Sequence, residues 1–496
     1  MGVMRFLIHP NEVKNGWTDL HRAYISGYDR CVHPTRVEID GNSMACRRQT
    51  SDSGKLHVAW PIPGFGCPVV STSSLREQDE PYILTLELAR GKIAQIRDQL
   101  SDWEIAGMKI PAEFYPSHRK AYRYFSQATA FQDDAEKCSD LALNALNHAY
   151  RASELLTSAY TSQRLVLRRG RSGHLPALLG CNLESIVPDE QQSKLFCPAF
   201  NSAAVPIEWK HIEPTEGEYF WELNDAQVDW CEKNHLVMRG GPLLDLSAGG
   251  LPAWIGQWDH DFLNMLSFIN DFVETAISRY MGRIRIWEVS SRVNTGGALA
   301  ITEENRLALV AKTLEVAHQV DEEADLSIRI DQPWGDYQAR GQHRLSPLQF
   351  VDALNRSGVG LSAINLEFSV GFQPRGTASR DPLDFSKLID LWSTLGLPLH
   401  VTLAFPSSAD EDEHSHSDLE VDADRWKSPW SEQAQSDWID LYLPLLLAKP
   451  AVTGIFWTHF SDASPHEFPH AGLLRQDGSP KVALESLIQH NKNHWS

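Results

Sequence analysis

The chain has 496 residues, 42% hydrophobic and 22% charged, an ordinary globular composition long enough for two or three domains with sizeable cores. Its formal net charge of −20 at pH 7 argues against a nucleic-acid backbone or an anionic membrane as partner, because either would be repelled. A neutral saccharide meets no such barrier.

No run approaches the roughly 20 apolar residues that cross a bilayer. At the start, His9, Pro10 and Asn11 follow Phe6-Leu7-Ile8 directly, too early for the apolar stretch of a signal peptide. The chain therefore reads as cytoplasmic. Its cysteines, Cys31, Cys46, Cys67, Cys138, Cys181, Cys197 and Cys231, number seven and show no CxxC spacing, so neither a disulfide framework nor a zinc cluster is expected. No cofactor and no metal is expected, and the sequence sets no oligomeric state.

Residues 1–86 hold short β-type segments such as RFLI, TRVEI and LHVAWPI between Gly, Pro, Asn and Asp, the pattern of a small sandwich-like module. Trp17, Tyr24, Tyr28 and Trp60 are either sugar-stacking faces, as in a carbohydrate-binding module, or core, and core is the simpler reading. Residues 87–174 form a helical connector: Ile93, Ile96, Leu100 and Trp103 recur at helical spacing, and the Ala- and Leu-rich stretch from Asp134 to Arg169 continues it. The boundary falls at RRGRSGH, ending at His174.

From 175 to 496, short β-branched segments alternate with longer amphipathic ones. Eight strands are expected: ALLGCNL, the run before Trp209, LVMRGGPLL, IRIWEVS, LSIRID, AINLEFSV, LPLHVTLAF and TGIFWTHF. Phe262 to Met281 is a helix with Phe262, Leu266, Ile269, Val273, Ile277 and Tyr280 on one stripe and Gly282 as its stop. The fold class is therefore α/β, a (β/α)8 TIM barrel behind a small β-rich domain and a helical connector. Its active site belongs at the C-terminal strand ends.

The barrel resembles glycoside hydrolase family 10, the xylanase-type family, from about Ala177 to Leu487. Trp209, Glu213, Pro214 and Gly217 match its second-strand signature; Arg239, Gly240, Leu251, Pro252 and Trp254 match the third strand and its loop. Trp457, Ser461, Asp462, Gly472, Leu473, Leu474, Gly478, Pro480 and Lys481 match the eighth strand and its tail. The resemblance implies retaining hydrolysis by two carboxyl groups about 5–5.5 Å apart, one a proton donor and one a nucleophile.

The departures fall where that chemistry belongs. In Trp287-Glu288-Val289-Ser290-Ser291-Arg292, Arg292 holds the place of the acid, and a guanidinium that is always protonated delivers no proton at neutral pH. In His400-Val401-Thr402, the family's Ile-Thr-Glu pattern puts Leu403 at the nucleophile, and a one-residue slip to Thr402 or Ala404 supplies no carboxylate either. Ala204, Val205, Glu208, Gly241, Asp245, Leu246, Glu367 and Ser369 replace polar sugar-binding groups of the family.

Glu208, Asp245, Asp331, Glu367 and Asp462 fall at or beyond strand ends, with Arg292 and His459 among them. Glu367 with Asp245 or Glu208 is the candidate relocated catalytic pair; the alternative is that these acids only pair with arginines. Arg292, Asp331, His459, Trp254, Trp457 and Asp462 are candidate substrate-binding residues, and Trp258, Trp334, Trp426 and Trp430 are further stacking candidates. Glu288 reads as structural. The acidic run 409–424, with His414 and His416, reads as a solvated or mobile lid more readily than as a cation site. Three functions stay open: saccharide binding without retaining hydrolysis, a glycosidase or lyase using relocated acids, and a non-catalytic scaffold.

Overall fold

Strands buried on both faces need near-continuous apolar sequence, and that is what the second half of the chain supplies. The computed structural model describes residues 2–8, 18–170, 173–258, 260–422 and 426–495. Eight parallel strands close into a barrel: β1 (Leu178–Asn182), β2 (Ser202–Val205), β3 (Val237–Gly240), β4 (Ile286–Ser291), β5 (Asp325–Ile330), β6 (Leu361–Ser369), β7 (Leu399–Ala404) and β8 (Val452–Trp457). Each pairs with its sequence neighbour, and β8 returns to β1 through Gly454 opposite Leu178. All eight expected strands are present. The expected helix runs Phe262–Tyr280, burying Ile269, Val273, Ile277 and Tyr280.

Ahead of the barrel, two four-stranded sheets face one core. Met4, Phe6 and Met44 of one sheet share it with Ile25, Leu56 and Val58 of the other, which is the sandwich-like arrangement expected. Trp60 and Tyr24 are buried in this module while Tyr28 is 94% exposed; Trp17 lies outside the described residues.

Three helices follow, Leu84–Ile105, Phe114–Ala130 and Ala135–Arg169. Asp134 caps the last, its Oδ1 accepting from the Lys137 N–H at 3.1 Å. All three of these helices belong to two cores at once. Leu84 and Leu88 pack on the β-rich module, whereas Ile93, Ile96 and Trp103 of the same helix pack on the barrel. Polar contacts seal the same junction, from the Arg380 guanidinium to the Tyr24 hydroxyl (2.7 Å) and from Lys92 Nζ to Asp381 Oδ2 (2.6 Å). Among the described residues no helix is long and apolar enough to cross a membrane.

Candidate functional site

Side chains alternate across a strand, so every second residue of the barrel strands points inward, and here the inward residues include several charges. Glu288 on β4 is fully buried. It accepts from Arg329 of β5 and from Asn365 of β6, and lies 3.9 Å from Arg239 of β3. Burial opposes its charge, but Arg329 and Arg239 hold its carboxyl below the usual range. Asn365 in turn donates to Thr402 Oγ1 at 2.9 Å. This lattice floors a cleft of about 780 Å³ at the C-terminal strand ends.

Arg292 stands over the floor in a left-handed conformation, φ 54°. Its guanidinium meets Glu467 at 2.7 Å, Glu367 at 3.1 Å and Asp245 at 3.4 Å, and Ser247 Oγ at 3.3 Å. Glu367 is 2% exposed, with its second oxygen 3.3 Å from Arg329. Both of its oxygens face cations, which fits the ion-pair alternative. Asp245 arrives through a kink after β3. Gly241 takes φ 104°, and a Cβ there would lie 2.2 Å from the Glu288 carbonyl oxygen, so no side chain fits where the resemblance expects histidine. The chain then runs beside β4, Asp245 opposite Ser291. Burial works against the Asp245 charge, but Arg292 and the Ser247 N–H keep its carboxyl below the ordinary range.

Two other acids lining the cleft have no ion-pair partner among the described residues. Asp331, just past β5, is clamped by Asn294, whose Oδ1 accepts from the Asp331 N–H and whose amide donates to the Asp331 carbonyl. Its Oδ2 accepts from Gln332 at 3.1 Å, while its Oδ1 is buried with no partner. Burial, reinforced by the Glu367 charge, pushes its carboxyl up to about 7. Glu184, beyond β1 at φ 48°, is pushed up to about 8 by burial, then by Glu208 and Glu467. Sequence reading missed Glu184, which sits in a turn outside any motif.

A carboxyl raised on folding binds its proton more tightly in the native state. Its contribution is fully present below the ordinary carboxylate pKa of about 4 and is lost as pH rises through about 7. Asp331→Asn is therefore expected to stabilise the protein at pH 8 by on the order of 1–3 kcal/mol relative to its effect at pH 5. Urea titrations at the two pH values check this; an equal effect at both would show that Asp331 is ionised at no unusual cost.

The wall beside Arg292 is built by the loops after β7 and β8. Asp412, with no exposed side-chain surface, accepts from His466 Nε2 at 3.0 Å and from the His470 N–H at 2.8 Å. Ser415 and Ser417 donate to the Glu467 carbonyl. Over its described part the acidic run is tied to the β8 loop at these points, while Asp410, Glu411, Glu413, Asp418 and Glu420 are exposed, as expected of solvated acids. His459, Asp462 and His466 bring ligand-type atoms within 4.8 Å of one another, but all three are engaged within the protein. Asp462 accepts from Lys481, from the Gly472 N–H and faces His459 Nε2 at 3.2 Å. The lysine ammonium supplies the positive charge that an ion would bring, and burial drives the His459 imidazole down to about 4.

Several sequence candidates are thus placed differently. Glu208, Asp245, Asp331, Arg292 and Trp457 line the cleft, and Glu367 lines its side recess. His459 and Asp462 lie outside the lining, in the buried ion-pair group just described. Trp254 also lies outside it, donating to the Glu213 carbonyl at 2.9 Å and packing edge-on against Trp209. Trp258, Trp334, Trp426 and Trp430 pack on Phe268, Phe385 and Phe405 rather than forming platforms. On β7 His400, Thr402 and Ala404 share the inward face, and Thr402 lines the cleft. Leu403 is therefore directed at the surrounding helices, one position off the expected register.

Residues 181–465, more than half of the chain, match the family model described as glycosyl hydrolase family 10. Endo-1,4-beta-xylanase B of Thermotoga neapolitana is 22% identical over 237 residues, 46% of this chain and 65% of that protein. Endo-1,4-beta-xylanase 3 of Hypocrea jecorina is 30% identical over 126 residues, 25% of this chain and 35% of that protein. The chain thus spans less than two thirds of the length of either relative. Native xylanase 10B from Thermotoga maritima aligns with a TM-score of 0.49 at 17% identity, covering 67% of this chain and 98% of that one.

Proposed function

The chain belongs to glycosyl hydrolase family 10, and from that premise we propose that its cleft binds a saccharide without running the family's two-carboxylate retaining displacement. One observation carries the reading. At the acid position Arg292 is locked against Glu367, Asp245 and Glu467, and the β7 side chain lining the cleft is the alcohol of Thr402. A retaining glycosidase needs a protonated and an ionised carboxyl flanking the glycosidic bond, and neither a guanidinium nor an alcohol takes either part. The relatives named as endo-1,4-beta-xylanases support a saccharide as the occupant.

A second reading, hydrolysis by another route, is favoured by the raised carboxyls in the cleft lining, Glu184 and Asp331. Asp331 has a carboxyl raised to about 7 and suits a general acid at neutral pH.

A reducing-sugar assay on xylan separates the two. The wild-type protein is expected to release no more than a heat-killed control. Turnover that Asp331→Asn abolishes would select the second reading, and a glycan array showing no binding would remove both. Arg292→Glu combined with Thr402→Glu is also expected to stay inactive, because Ala204, Val205, Gly241 and Leu246 leave the reacting sugar without polar partners to hold it in attack geometry. Activity restored by those two changes alone would show that the sugar-binding shell is intact.

A further inference from the structure

We propose, resting on the saccharide reading above, that the cleft prefers a cationic saccharide, one carrying a free protonated primary amine such as an oligomer of glucosamine, over neutral sugars. The observation behind this is a local excess of negative charge with a place left for a cation. Lys210 meets Glu208 at 3.3 Å and Arg375 meets Asp418. Arg239 and Arg329 are engaged by Glu288 on the floor. Arg292 is shared among three carboxylates, Asp245, Glu367 and Glu467, of which Glu367 also meets Arg329.

After these pairings Glu184 and Asp331 still lack a cationic partner among the described residues. Asp331 is 4% exposed and lines the cleft with its Oδ1 buried and unpartnered. A buried acceptor without a donor is costly, and water is not the only group that can satisfy it. An ammonium brings three N–H donors and the missing charge, and charge attraction is stronger in a recess than in open solvent.

The raised carboxyls agree with this geometry. Glu184 is protonated through part of the neutral range under the influence of burial and of Glu208, and Asp331 under that of burial and Glu367. A bound cation reverses the like-charge repulsion and lowers both. At pH 5.5, where the ligand amine is already protonated, binding must then release protons from the two acids. A neutral sugar has no such effect, because it adds no charge.

The test is calorimetric titration of the full chain at pH 5.5 with chitosan tetramer, its fully N-acetylated counterpart and xylotetraose, each in two buffers of different ionisation enthalpy. The free-amine tetramer is expected to bind about tenfold or more tightly than the other two, with proton release for that ligand alone. Asp331→Asn and, separately, Glu184→Gln should each reduce the preference severalfold, with their melting behaviour recorded as a check on folding. Equal affinity for the three tetramers, or tighter binding of a neutral one, would overturn the cationic preference and leave the saccharide reading standing. Binding of the free-amine tetramer without proton release would also overturn it. Silence towards every oligosaccharide, on these three and on the wider array, would remove the saccharide reading itself.

Discussion

Glu288→Gln is expected to lower stability by about 3–5 kcal/mol, the range for stripping one partner from a buried ion pair. The substitution keeps the size of the side chain and removes the charge that faces both Arg329 and Arg239. Arg329 retains Glu367 at 3.3 Å, but Arg239 has no other ion-pair partner among the described residues, and its Nε and Nη1 already lack hydrogen bonds. A guanidinium left in that state must draw in water or distort β3. Glu367→Gln makes the useful comparison. Arg292 would keep Asp245 and Glu467, and Arg329 would keep Glu288, so the smaller loss belongs to Glu367. Urea denaturation of both variants at pH 7 measures the two losses directly. If Glu367→Gln were the more damaging, the barrel floor would be organised around Arg292 and not around Glu288.

That ordering bears on what was legible before the fold was known. The eight strands were readable because parallel strands buried on both faces leave unbroken apolar runs, and the family framework was readable because Trp209, Arg239 and Trp457 sit in motifs. Arg292 was readable for the same reason: it stands at a fixed step after Trp287. Partnership was not readable. Glu288 and Arg329 lie on adjacent strands 41 residues apart in sequence, and nothing local announces that they meet.

The β7 register went wrong by one residue for a related reason. A pattern match sets which letter follows which, but the pleat decides which side faces the cleft, and the Asn365 to Thr402 hydrogen bond fixes it here. Glu184 escaped notice because its position depends on a left-handed turn after β1, a backbone choice with no glycine to mark it. The tryptophans misled in the opposite direction: their placement on loops near the mouth suggested sugar platforms, yet Trp254 and Trp430 spend their indole N–H groups on backbone carbonyls of Glu213 and Asp422.

The same logic of hidden partners governs how the helical connector meets the barrel, and Asp381→Ala is expected to cost about 3–5 kcal/mol there. Asp381 caps the helix Pro382–Ser393, its side chain accepting from the Asp384 N–H. It also accepts from Lys92 Nζ at 2.6 Å and Ser153 Oγ at 2.9 Å, groups on two different helices of the connector. Losing the cap alone costs about 1 kcal/mol; the larger part comes from Lys92, 3% exposed, left as a buried charge without its carboxylate. Lys92→Met in the same background removes that charge and should recover most of the loss, since an apolar replacement of both partners is often close to neutral. A double-mutant cycle read by thermal and urea unfolding isolates the coupling. Strong coupling within a single cooperative transition would mean that the β-rich module, the connector and the barrel fold as one unit. If the wild type instead unfolds in two steps and Asp381→Ala shifts neither, the buried pair does not bind the connector to the barrel, and the module would be free to be treated as a separate domain.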